Sequence, residues 1–143
     1  MYAVLNQEQV RDNSIPFLKS ENWSLKTYEK GISAESDAVK VLKDEGYEIL
    51  GRRVKTEYGE IDILAKKEDF LVAIEVKQRS SIDCARGCIS KRQKRRISNA
   101  LMCIVSDRDE LFENYRADVV CFDSVGRLEH IENAFSIEEF DCC

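Results

Sequence analysis

The chain has 143 residues, 43% of them hydrophobic and 34% charged, with a formal net charge of −5. That length suits one domain able to bury a core, and the balance excludes a disordered chain. No apolar run approaches the roughly 18 residues of a membrane span, and Met1 to Gln7 offers neither a basic leader nor an apolar signal core. A cytoplasmic protein with no membrane partner is expected.

Residues 1–23 show no sustained periodicity, hold the sole proline, Pro16, and read as an N-terminal extension. Ser24 can cap a helix running to about Glu45, in which Tyr28, Ile32, Glu35, Val39 and Leu42 share one face. Glu35 thus stands in an apolar stripe, where a charge is costly unless a metal or the ammonium of Lys77 compensates it. Gly46 closes the helix as a C-terminal glycine does. Three strands follow, at about 48–56, 60–66 and 70–79, joined at Tyr58-Gly59 and Glu68-Asp69 closely enough for an antiparallel meander. In the third, Val72, Ile74 and Val76 face one way and Leu71, Ala73, Glu75 and Lys77 the other.

Residues 80–89 form a loop containing Gly87, and Ser90 caps a second helix whose buried stripe is Ile97, Ala100, Leu101, Ile104 and Val105. Strands at about 116–123 and 127–132 flank Ser124-Val125-Gly126. Ser136 with Glu139 matches a capping box for a short C-terminal helix. The order α-β-β-β-α-β-β predicts an α/β fold with a mixed central sheet flanked by helices. The chain divides into an extension (1–23), a domain (24–133) and an acidic tail or short helix (134–143).

Charge is divided unevenly. Residues 76–98 carry eight basic groups against Asp83 alone, a net of +7, so the rest of the chain carries −12. Lys91, Arg92, Lys94, Arg95 and Arg96 crowd the start of the second helix, where cations oppose the macrodipole. Helix stability does not explain them; binding of nucleic-acid phosphate does. Of the six cysteines, none forms a CxxC pair, and His130 is the only histidine. A zinc cluster of familiar spacing is therefore absent, and the thiols read as reduced and structural.

The chemistry lies in GEIDI (59–63) and AIEVK (73–77). Glu75 and Lys77 are about 7 Å apart on one strand face, and Asp62 sits on the neighbouring strand. Two such carboxylates repel unless a cation lies between them or one is protonated. Hard oxygen donors favour Mg²⁺ (or Mn²⁺), which binds through one or two carboxylates together with waters and phosphate. Lys77 is placed to orient a water or steady the phosphate oxygens. Glu75-Val76-Lys77 is the only acid-x-Lys triplet in the chain.

Taken together, GxxxE at 31–35, Gly46 to Leu50, GEIDIL at 59–64, EVKQR at 75–79, Gly87, Lys94 with RRI at 95–97, Ala100 and RADVV at 116–120 resemble the YraN family. That family is grouped with the PD-(D/E)xK, or restriction-endonuclease-like, superfamily and is similar to archaeal Holliday-junction resolvases. The likeness covers about residues 26–133. It implies a restriction-endonuclease-like three-layer fold, with Asp62, Glu75 and the main-chain carbonyl of Val76 as metal ligands. It further implies Lys77 as catalytic lysine, Glu35 as an accessory acid reaching the metal through water, and Gln93 or Lys94 near the phosphate. The usual glycine, asparagine and aromatic of the family are Ala34, Arg53 and Ala117 here.

The expected activity is metal-dependent hydrolysis of DNA phosphodiesters, at branched or single-stranded structures. Catalysis falls to Glu35, Asp62, Glu75 and Lys77. Contacts to DNA fall to Arg79, Lys91, Arg92, Gln93, Lys94 and Arg95. The resemblance to resolvases makes a homodimer a candidate assembly. The alternative is a nucleic-acid-binding protein of the same fold with little turnover; a third reading is a protein-interaction module using the acidic body. Glu60, Asp118 and His130 read as structural.

Overall fold

Strands apolar on both faces need a cover on each, and two helices supply it. The computed structural model describes residues 22–80, 89–107 and 112–137. Its elements are α1 (Asn22–Asp44), β1 (Glu48–Thr56), β2 (Gly59–Lys67), β3 (Phe70–Gln78), α2 (Lys91–Asp107), β4 (Asn114–Phe122) and β5 (Leu128–Phe135). The strands form one sheet in sequence order. β1–β2, β2–β3 and β4–β5 pair antiparallel, whereas β3 and β4 pair parallel. A parallel pair requires a crossover, and α2 is that crossover. The architecture is the α/β order expected from the sequence.

Ala34, Ala38, Val39 and Leu42 of α1 pack on Ile63, Ala65, Val72 and Ile74 across one face of the sheet. Ile97, Ala100, Leu101 and Ile104 of α2 pack on Val54, Ile61, Leu64, Leu71 and Ala73 across the other. β3 is thus apolar on both sides, which is why its alternation in sequence is weak. Val105 is only half-buried, and Ser98 takes the buried place beside Ile97. The side chains of Tyr28 and Ile32 lie outside the description.

The helix ends explain the boundaries. Tyr47 N–H donates to Leu42 O at 2.9 Å and Gly46 N–H to Lys43 O at 3.0 Å, with Gly46 at φ +92°. This is a Schellman closure, and Tyr47 packs in the same cluster as Leu42. At the start of α2, Ser90 Oγ accepts from Gln93 N–H and Gln93 Oε1 accepts from Ser90 N–H, both at 3.1 Å, a reciprocal capping box.

Three expectations change. α1 starts at Asn22, so Ser24 lies inside the helix instead of capping it. β3 ends at Gln78, and β5 runs on to Phe135, past a register shift beside Asn133, whose φ is 51°. The loop at 81–88 and the proposed helix after Ile137 lie outside the described residues. Among the described residues, no helix is long and apolar enough to cross a membrane.

Candidate active site

The β2–β3 ladder runs from Lys67↔Phe70 to Ile63↔Ile74 and stops there. The next opposed pair in that register is Asp62 and Glu75. β3 continues beside β4 as far as Gln78↔Phe122, so β2 and β3 part while β3 and β4 stay joined. A fork opens between β2 and β3. Within it the Val76 amide donates to Asp62 Oδ2 at 2.9 Å. A backbone donor freed by the end of a ladder needs an acceptor, and the carboxylate provides it. Lys77 Nζ lies 3.1 Å from Glu75 Oε2, both side chains nearly covered. The structure therefore brings Asp62, Glu75, Val76 and Lys77 together.

Glu35 reaches the fork from α1 and is 8% exposed. Among the described residues its charge partner is Arg53. The guanidinium approaches it with Nε at 3.1 Å from Oε1 and Nη2 at 3.5 Å from Oε2. Arg53 sits on β1 with φ 51°, in the left-handed region that L-residues seldom occupy. This is the site residue that sequence reasoning missed. The available signal was an arginine standing in an edge strand where the resembled family has asparagine.

Burial raises the Asp62 carboxyl well above the ordinary aspartate value. The neighbouring Glu75 charge, the hydrogen bond they share and the Glu35 charge add to the rise, while the Val76 amide opposes it. Burial also raises Glu35, with Arg53 pulling it down and Glu60 pushing it up. Carboxylates held in such conflict favour an added proton or an added cation.

Among the described residues, no group of three or more His, Cys, Asp or Glu lies close enough to hold a metal alone. The carboxylates brought together are the pair Asp62 and Glu75, with Glu35 paired to Arg53. A pair of hard oxygen donors in mutual repulsion suits an ion that takes its other ligands from water and phosphate.

The basic residues of α2 form a second part of the region. Lys91, Arg92, Arg95 and Arg96 are exposed, and Lys94 is half-buried. Arg96 lies across the β1–β2 turn, so close to Gly59 that a Cβ there would meet its Cδ at 2.5 Å. Gln93 is engaged in the capping box, its side-chain oxygen accepting from the Ser90 amide. Arg79 is exposed at the end of β3, and its Nη1 donates to Gln78 O at 2.7 Å.

Asp118 and His130 lie elsewhere, on the α1 side of β4 and β5. Asp118 is fully buried. It receives Arg116 Nε at 2.8 Å, Arg116 Nη2 at 2.9 Å, Asn133 N–H at 2.9 Å and His130 Nε2 at 2.8 Å. His130 Nδ1 lies 2.8 Å from Glu45 Oε2. The Tyr47 hydroxyl contacts Arg116, Asp118 and Glu132. This network clamps the end of α1 to β4 and β5, a structural role.

A sequence profile described as uncharacterised protein family UPF0102 matches residues 34–122. A UPF0102 protein of Granulibacter bethesdensis is 36% identical over 110 residues, covering 76% of this chain and 70% of that protein. One of Azorhizobium caulinodans is 38% identical over 110 residues, covering 76% and 84%. One of Rhodopseudomonas palustris strain BisA53 reaches 47% over 73 residues, covering 51% and 56%. The matched span holds Glu35, Asp62, Glu75, Lys77 and the basic start of α2.

Proposed function

This chain belongs to the UPF0102 family, and we propose that it is a metal-dependent endonuclease of the PD-(D/E)xK kind, hydrolysing DNA phosphodiesters. One observation carries the reading: the fork that sets Asp62 against Glu75, with Lys77 Nζ 3.1 Å from Glu75. Carboxylates set in such conflict cluster at functional sites, and this supports the reading.

Asp62, Glu75 and the Val76 carbonyl would hold Mg²⁺ or Mn²⁺, which when bound neutralises phosphate charge and acidifies a water. The chain's own groups do the rest. Lys77 donates hydrogen bonds to the attacking water or to a non-bridging oxygen. The water oxygen bonds to phosphorus and releases a proton to solvent, the opposite bridging P–O bond breaks, and the departing oxygen takes up a proton from solvent. Glu35, fixed by Arg53, adds a negative field at the mouth of the fork. Lys91, Arg92, Lys94 and Arg95 hold flanking phosphates as point charges or forks.

A second reading, a nucleic-acid-binding protein with little turnover, draws on the engagement of Glu35 by Arg53 and the lack of a three-donor group among the described residues. One experiment separates the two. Purified protein, Glu75→Ala and Lys77→Ala are given four-way-junction, flapped, single-stranded and duplex DNA with Mg²⁺ or Mn²⁺. Metal-dependent cutting that both variants lose, by about 10²-fold or more, supports the enzyme. Equal cutting by the variants overturns it. Salt-sensitive binding without cutting leaves the second reading.

A further inference from the structure

The sheet face that carries Glu75 and Lys77 continues, strand by strand, away from the fork. Glu75, Val119 and Ile131 stand side by side on β3, β4 and β5, and so do Lys77, Cys121 and Glu129. Neighbouring strands lie about 5 Å apart, so Ile131 is only two strands from Glu75. Above this part of the sheet runs the start of α2. Between helix and strand edge lies a groove in two adjoining compartments, of about 440 and 550 Å³.

Its two sides differ in chemistry. The floor is apolar, made by Val119, Ile131 and the half-buried ring of Phe135. The helix wall is cationic, made by Lys91, Lys94 and Arg95, at spacings of three and four that put them on one helical face. Among the described residues Glu129 is the one acid in the lining. Lys94 borders both compartments, its ammonium 5.9 Å from the centre of the Phe135 ring.

We propose that this groove binds an unpaired nucleotide stretch, with a base on Phe135 and its flanking phosphates on Lys91, Lys94 and Arg95. The proposal rests on the nucleic-acid half of the reading above and not on hydrolysis. Duplex DNA turns its backbone outward and keeps its bases stacked, so it can use the cations but not the apolar floor. A single strand can use both, because any base offers a face to an aromatic ring. Because the floor runs into the fork, a strand seated here leads its neighbouring phosphate toward Asp62 and Glu75. The substrate class is therefore one with a single-stranded segment beside the bond that is cut.

Fluorescence polarisation of the full chain in EDTA tests this without any cutting. The probes are a labelled oligothymidylate and a duplex of equal length. The wild type is expected to bind the single strand about tenfold tighter or better. Phe135→Leu, which keeps apolar volume but removes the ring, weakens the single strand about five- to hundredfold and leaves the duplex unchanged. Lys94→Gln weakens both probes and flattens their salt dependence, which keeps a folded test available if Phe135→Leu melts early. Equal or tighter duplex binding overturns the proposal, as does single-strand binding that neither variant changes. Retained single-strand preference in a protein that cuts nothing removes only the hydrolytic reading.

Discussion

Two aspartates on this sheet are buried in opposite senses. Asp118 is fully covered, and burial by itself would raise its carboxyl. Hydrogen bonds from His130, Arg116 and the Asn133 amide outweigh that and hold it below the ordinary aspartate range. Asp62 has one backbone donor, Val76, set against burial, Glu75 and Glu35, and its carboxyl is held far above that range. One chain thus buries one charge with complete compensation and another with almost none. Complete compensation is what a structural charge needs; incomplete compensation leaves room for something from outside.

Substitution sharpens this contrast in opposite directions. Asp118→Asn leaves Arg116 and His130 without their shared counter-charge, and loss of one member of a buried pair costs about 3–5 kcal/mol. The urea midpoint at pH 7 is expected to fall accordingly. Asp62→Asn keeps an oxygen for the Val76 amide while removing the conflict with Glu75. It is expected to stabilise the metal-free protein at neutral pH, read as a higher urea midpoint than that of the wild type. In the wild type, saturating Mg²⁺ raises the melting temperature by mass action, and EDTA reverses it; in Asp62→Asn that shift is lost. A wild type indifferent to Mg²⁺ would dissolve the distinction between the two aspartates.

The two sites also respond differently to pH. Asp62 has a raised folded value, so its contribution is complete below the unfolded value near 3.8 and is lost as pH rises through the folded value. Asp118 has a lowered value, so its contribution is present above 3.8 and disappears as pH falls through the folded value. Burial alone would lower His130, but the hydrogen bonds that its ring donates to Asp118 and Glu45 outweigh this and raise it. Its contribution is complete below about 6.5 and is lost as pH climbs through the folded value. Melting temperatures from pH 5 to 9 are expected to show an alkaline decline that His130→Gln flattens, at the cost of about 1–3 kcal/mol near neutral pH. An unchanged alkaline limb would remove His130 from the clamp.

Much of this was legible because strand register is local. The alternation of Leu71 to Lys77 puts Glu75 and Lys77 on one face, and the short connection at Glu68-Asp69 brings Asp62 opposite. Ser90 as the cap of the second helix was legible too; that Gln93 returns the hydrogen bond and is held at the helix start is what the structure adds. Other features depend on contacts between distant elements. Nothing in the periodicity of β1 says that Arg53 turns to Glu35, because that requires a left-handed φ and the packing of α1 on β1. The length of β5 was under-read for a related reason. Asn133, at φ 51°, interrupts the alternation while its amide still reaches Asp118, and the strand resumes to place Phe135 over the sheet.

Arg53→Asn probes the contrast most gently, since it strikes a charge that is half compensated. Two effects oppose each other. Asparagine accepts the left-handed φ more readily than arginine, which recovers part of the roughly 1–2 kcal/mol that this conformation costs. Loss of the guanidinium removes a charge-assisted pair of about 1.5–3 kcal/mol. The Glu35 carboxyl, already raised by burial, is then raised further and takes up a proton more readily. At acidic pH, with Glu35 neutral, the conformational gain prevails and the change in stability stays within about 1 kcal/mol. As pH rises through the folded value of Glu35, the buried carboxylate loses its partner and the variant falls progressively below the wild type. Denaturation at pH 4, below the ordinary glutamate value of 4.5, and at pH 9 checks this. A difference that stays constant between the two values would mean that Arg53 shapes the strand and does not hold the charge of Glu35.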